Sequence, residues 1–188
     1  MLEALFISTF IIAIAEIGDK TQLLSFILAA RYQKPLPIIF GIFAATIINH
    51  ALAGFLGKWI SSFVHPNILQ WILGVSFIAM GLWSLIPDKF EDTSSIKNRS
   101  IFISTFITFF IAEMGDKTQI ATAMLAIKYN ALIMVVIGTT LGMMLTNIPA
   151  VLLGNKINQW ISMTWIRRIA AMIFIGMGVL TLINAVMK

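Results

Sequence analysis

Glu16-Ile17-Gly18-Asp19-Lys20-Thr21 stands in the middle of an apolar stretch, and Glu113-Met114-Gly115-Asp116-Lys117-Thr118 repeats it in the middle of another. A glutamine follows each copy, Gln22 and Gln119. The flanks of the first copy, Leu5 to Ala15 and Leu23 to Ala30, are hydrocarbon-like, which places the polar hexapeptide in a bilayer rather than in water. An ionisable residue costs a few kcal/mol there even on lenient insertion scales, so two Glu, two Asp and two Lys need a purpose. The reading that follows is one cation site built from four carboxylates.

Outward from the motifs, composition sets the class. Of 188 residues, 59% are hydrophobic and 11% charged, too few polar side chains to clothe a soluble domain. The expectation is an all-α polytopic protein with the lipid bilayer as its solvent. A formal charge of +5 could suit nucleic acid, but the basic residues are scattered through short connections and form no patch, so no nucleic-acid partner is expected. With no cysteine, disulfides and thiolate metal ligands are excluded together. The first apolar run has neither a basic leader nor a small-residue cleavage signal and runs straight into the motif, so it is not read as a removable signal peptide.

A spanning helix takes about 20 apolar residues, and six segments qualify: 2–30, 36–57, 68–87, 101–127, 131–154 and 164–187. Turn formers and charges fill the connections, and 88–100 is the one long polar linker. It separates two copies of one pattern, 1–87 and 101–188. Glu113 follows Glu16 by 97 positions, and the same offset pairs Tyr32 with Tyr129, Gly41 with Gly138, Gly57 with Gly154, and Phe77 to Gly81 with Phe174 to Gly178. Three spans per half is an odd number, so the second half enters the membrane upside down. The expected architecture is six transmembrane helices as two inverted three-helix repeats, with the site near the midplane where they meet. Both motifs fall near mid-span, and Gly18 and Gly115 within them permit either close helix approach or a local break that frees backbone carbonyls.

Orientation follows from the remaining basic residues. Arg31, Lys34, Lys89, Lys97, Arg99, Lys156, Arg167 and Arg168 fall on one side, and Lys58, Lys128 and Lys188 on the other. The positive-inside rule then puts the linker in the cytoplasm and both termini outside, in a multi-pass protein of the inner (plasma) membrane.

Within a helix, Glu16, Asp19 and Gln22 would share one face, completed from the other half by Glu113, Asp116 and Gln119. Four carboxylates and two lysines leave a net charge of −2, which one divalent ion neutralises. Hard oxygen ligands suit Mn2+, Ca2+ or Mg2+ better than copper or zinc. Carboxylates also accept protons, and competition between metal and proton for one set of groups is the minimum requirement for antiport. Structural readings stand beside this one. Glu16 with Lys20, and Glu113 with Lys117, have the spacing of helical ion pairs. Thr21 and Thr118 either bond their own helix backbone or touch a cation. Asn49 and His50, with Thr146 and Asn147 at matching positions, either complete the site or make interhelical hydrogen bonds. Gly138 and Gly142 read as close helix packing, within one protomer or between protomers of a homo-oligomer.

The doubled pattern Glu-x-Gly-Asp-(Lys/Arg)-(Ser/Thr) resembles the signature of the Golgi-type manganese/calcium transporter family and its bacterial manganese exporters, a branch of the lysine-exporter superfamily. Both copies match at every defined position. The resemblance implies export of Mn2+, with Ca2+ in some members, in exchange for protons, and it carries the role of ion ligand onto Glu16, Asp19, Glu113 and Asp116. It implies no cofactor beyond the transported Mn2+ or Ca2+. The extra N-terminal segment of eukaryotic members is not present, which implies a bacterial protein. Two other functions compete: export of another small solute on a lysine-exporter-like scaffold, and a non-transporting membrane assembly protein. Acids outnumber bases in the core, which disfavours a carboxylate substrate, and duplicated intramembrane acids disfavour a mere scaffold. No nucleophile is paired with a base, so no enzyme is expected.

Overall fold

The structure, a computed structural model, describes residues 1–86, 100–153 and 163–187. The linker reading at 88–99, the match of Gly57 with Gly154, and the charges of Lys89, Lys97, Arg99, Lys156 and Lys188 lie outside the described residues, as does the side chain of Arg167. Among the described residues the chain is all α-helical, in eight helices: α1 Leu2–Glu16, α2 Lys20–Tyr32, α3 Pro35–Ser61, α4 Pro66–Ser84, α5 Ile101–Glu113, α6 Lys117–Tyr129, α7 Leu132–Leu153 and α8 Met163–Val186. Four are long and apolar enough to cross a membrane: α3, α4, α7 and the Arg168–Val186 part of α8.

The stretches 2–30 and 101–127, each expected as a span, are each two helices. With 15 residues in α1 and 13 in each of α2, α5 and α6, none exceeds about 23 Å at 1.5 Å per residue, short of the ~30 Å hydrocarbon core. Only as end-to-end pairs do they have the length to cross. The 97-residue offset reappears in the backbone, since α2 and α6 begin and end at matched positions. Both stop at a left-handed residue, Gln33 (φ 52°) and Asn130 (φ 47°), whose backbone N–H caps the helix on Ala29 O and Ile127 O. Pro35 then opens α3 at a position where its missing N–H would have had no partner.

Packing mixes the halves. Helix α1 lies along α7, α3 lies against α5, α6 and α7, and α4 pairs with α8; among the described residues, the substantial packing within a half is that of α2 with α3 and α6 with α7. Small residues set the closest approaches. A Cβ on Gly138 or Gly142 would come within 2.5 Å of the Leu5 or Thr9 carbonyl oxygen, so this pair serves packing of α7 on α1 inside one protomer. Gly74, Gly81 and Gly178 do the same between α4 and α8, where an added Cβ would meet Leu182, Ile175 or Ile78 at 2.5–2.6 Å. Polarity is reversed relative to a water-soluble protein. Phe6 (65%), Phe10 (61%) and Leu145 (60%) are exposed while Glu16 and Glu113 are wholly buried, a distribution suited to lipid outside.

The core is in two parts. One, at the end where α1 begins and α6 finishes, contains Ile12, Ala121, Leu125 and Val135 together with Phe77 of α4 and Phe174 of α8. The other, where α2 finishes and α5 begins, contains Leu24, Leu28, Ile38 and Phe109. The motifs lie at the α1–α2 and α5–α6 junctions between them.

Candidate functional site

Helix α1 ends at Glu16 because Ile17 turns to an extended conformation (φ −63°, ψ 119°) and Gly18 takes φ 79°. Met114 (φ −63°, ψ 121°) and Gly115 (φ 74°) repeat the break. Most side chains are strained at such a φ, asparagine least, and glycine is not. The freed backbone groups are satisfied locally. Gly18 N–H donates to Gln22 Oε1 at 2.8 Å and Gly115 N–H to Gln119 Oε1 at 2.7 Å. Asp19 N–H reaches Glu16 O, and Asp116 N–H reaches Glu113 O, both at 3.1 Å. Asp19 then caps α2 by accepting Lys20 N–H at 2.8 Å. A bilayer demands this internal accounting wherever a helix is interrupted.

The expectation that Glu16, Asp19 and Gln22 share one helical face is therefore corrected. Glu16 closes one helix, Asp19 opens the next, and Gln22 turns back to hold the break. The spacing of three measures a turn and not a helical period, and the same holds for Glu113, Asp116 and Gln119.

Each glutamate is tethered and half free. Thr21 Oγ1 donates to Glu16 Oε1, and Thr118 Oγ1 donates to Glu113 Oε2 at 3.2 Å. Glu16 Oε2 and Glu113 Oε1 are buried with no hydrogen-bond partner. Sequence reasoning missed this tether because threonine five residues beyond glutamate is off the helical face. The signal was the identical spacing in both copies.

Lys20 joins the halves. Its Nζ lies 3.0 Å from Asp116 Oδ1, leaving Asp116 Oδ2 buried without a hydrogen bond. The helical ion pair of Lys20 with Glu16 gives way to this cross-half pair. Lys117 is placed differently, its Nζ donating to the Ile86 carbonyl at 3.2 Å. Glu16 interacts electrostatically with Glu113, Asp19, Asp116 and Lys20, so the two motifs face one another across the repeat boundary. Among the described residues, however, no three His, Asp or Glu side chains are gathered closely enough to hold one metal ion together.

The asparagines make interhelical bonds. Asn49 Nδ2 donates to Phe110 O near the end of α5 at 3.1 Å, while Asn147 Oδ1 accepts from Ser25 Oγ of α2 at 2.6 Å. Gln22 Nε2 reaches Thr146 O at 3.4 Å. Both broken stretches are thereby tied to the long helix that crosses them. His50 is fully buried beside Asn49.

Known proteins resemble the chain over most of its length. The sequence profile of the family described as "Divalent cation/proton antiporter GDT1" matches residues 4–92 and 101–188. A Vibrio cholerae protein provisionally named a manganese exporter is 50% identical over 182 residues, covering 96% of this chain and 91% of that one. GDT1-like protein 5 of Arabidopsis thaliana is 28% identical over 92% of both chains, and GDT1-like protein 3 of Oryza sativa is 28% identical over 95% of this chain and 73% of its own. No solved structure matches the chain.

Proposed function

Because the chain belongs to the divalent cation/proton antiporter GDT1 family, we propose that it carries divalent cations, Mn2+ first and Ca2+ as the alternative, out of the cytoplasm in exchange for protons across the inner membrane. The observation that carries this reading is the pair of buried, carboxylate-bearing helix breaks joined by Lys20 and Asp116. Glu16, Asp19, Glu113 and Asp116 draw together on the ion, using the glutamate oxygens that hydrogen bonds leave open. Gln22 and Gln119 reach it only by releasing the Gly18 and Gly115 N–H groups. Manganese ranks first because the Vibrio relative bears its name, and oxygen-only ligands accept calcium as well.

In this reading 1–87 and 101–188 are inverted three-span repeats joined by a cytoplasmic linker, with both termini outside. The matched breaks and caps support the repeat, and the basic-residue asymmetry supports the orientation. Cysteines introduced by Ser94→Cys and Lys188→Cys should label from opposite faces of the membrane. Labelling from one face would mean an even number of spans between them and end the inverted-repeat reading.

Coupling follows from charge. One divalent ion or two protons bring the core charge of −2 to zero, and a dry site moves most easily when neutral. Purified protein in proteoliposomes should exchange Mn2+ for protons, with Ca2+, Mg2+ and Co2+ compared side by side. The flux should follow the pH gradient. With that gradient clamped at zero, 100 mV acting on one uncompensated charge would be worth about 2.3 kcal/mol, so strong voltage-driven accumulation would rule out neutral exchange. Absence of flux for all four ions would overturn the proposed function itself.

A further inference from the structure

The α4–α8 pair is seated at one end of the molecule only. Phe77 and Phe174, stacked at 6.5 Å, enter the core at the α1/α6 end. Among the described residues, the core at the α2/α5 end has no buried member from either helix. Yet the two cores are copies, since Ile12 matches Phe109, Leu24 matches Ala121, and Leu28 matches Leu125 at the 97-residue offset. Helix contacts repeat the imbalance. Helix α4 packs on α6 and α8 on α1, whereas the exchanged pairs, α8 with α2 and α4 with α5, are not among the helix pairs that pack substantially in the described residues.

A polar contact seals the occupied seat. Lys128 Nζ donates to Thr181 Oγ1 at 3.3 Å and sits 5.4 Å from the centre of the Phe77 ring. The matching residues are idle. Arg31, 97 positions before Lys128, is exposed and lies over its neighbour Tyr32 at 5.4 Å. Ser84, 97 positions before Thr181, gives its hydroxyl to Met80 O, just as Thr181 gives its own to Met177 O.

Two chemically equivalent seats with one occupied describe one state of a two-state device. We propose that α4 and α8 move as one body between two latches, Lys128 with Thr181 and Phe77 in the state seen here, and Arg31 with Ser84 and Phe174 in the alternate state. The glycine contacts between α4 and α8 make the pair a unit. Little apolar contact is lost over the cycle, because the ring pair leaves one core for its copy. Given the proposed orientation, on which this inference rests, the present state is shut at the outer end and opens toward the cytoplasm. Lys128 and Arg31 are then positioning residues, acting on access to the carboxylates without touching the ion.

The chain has no cysteine, so introduced pairs are the only thiols. Lys128→Cys/Thr181→Cys and Arg31→Cys/Ser84→Cys are each treated in vesicles with a short bifunctional methanethiosulfonate. Both pairs should bridge within one chain, each bridge should cut Mn2+/proton exchange at least about tenfold, and reductant should restore it. Bridging is scored on gels and needs no substrate, so it reads the two-seat device even if the assigned ion is wrong. Failure of the Arg31/Ser84 pair to bridge while the other does, or full exchange with a bridge in place, would overturn the proposal. Should a cysteine pair fail to insert, Arg31→Met decides. Its side chain is exposed here, so the present packing should persist while the maximal rate falls several-fold at unchanged half-saturating Mn2+, and Arg31→Lys should restore it. An unchanged rate in Arg31→Met would overturn the latch.

Discussion

Glu113→Gln should reduce Mn2+/proton exchange to the level of protein-free vesicles while the protein remains inserted and folded. The substitution is close to isosteric, and the Gln carbonyl can still accept the Thr118 hydroxyl that now bonds Glu113 Oε2. The junction between α5 and α6 therefore keeps its geometry, and what disappears is one of four charges and one of the open oxygens. Under the proposed shared site, Glu16→Gln, Asp19→Asn and Asp116→Asn should behave alike. A loss of at least a hundredfold, about 2.7 kcal/mol in barrier terms, is the expected size for each. Asp116→Asn carries an added effect, since it strips Lys20 of its partner and leaves a cation at the site. Near-normal flux in any two of the four would end the shared-site reading. Vesicle flux with a manganese-sensitive dye, checked by gel filtration of each variant, makes the measurement.

The second large effect is on the backbone. Gly115→Val should lower exchange at least about tenfold, with Gly115→Asn retaining most of it. The position separates conformation from crowding, because a Cβ added there meets nothing within 4 Å, while φ is 74°. A left-handed conformation costs an ordinary residue roughly 1–2 kcal/mol. A β-branched residue is more restricted there, whereas asparagine tolerates the region. Valine would thus favour running α5 into α6 as one helix, which would turn Glu113 and Asp116 away from their present places. Equal activity in the valine and asparagine variants would show that the break is dispensable.

These two predictions also mark how far the sequence could be read. The apolar runs located α3, α4, α7 and α8, because hydropathy reports the transfer of side chains into lipid and those helices are simply long. The matched ends of α2 and α6 followed from the offset that Tyr32 and Tyr129 already displayed. The break itself was legible only as an alternative. A glycine costs a helix about 1 kcal/mol, too little to decide between a continuous span and two half-helices of identical hydropathy. A continuous helix would put Glu16, Asp19 and Gln22 on one face, and the break removes that face and brings the Thr21 hydroxyl onto Glu16. Lys20 with Asp116 was hidden for another reason, since nothing local in either copy says which lysine crosses to the other half.

The interleaving of the halves bears on how the protein is made. Apart from α2 on α3 and α6 on α7, the substantial helix packing among the described residues joins an element from the first half to one from the second. A ribosome delivering the chain in order therefore releases α1 to α4 into the membrane before most of their partners exist. During that interval Glu16, Asp19 and Lys20 have no second motif to face, and Phe77 has no Phe174 to stack on. The nascent first half is then an insertion intermediate waiting on translation, held in the bilayer by its hydropathy and by the packing of α2 on α3. Its maturation is an act of assembly, the joining of two subunits that happen to share a single message.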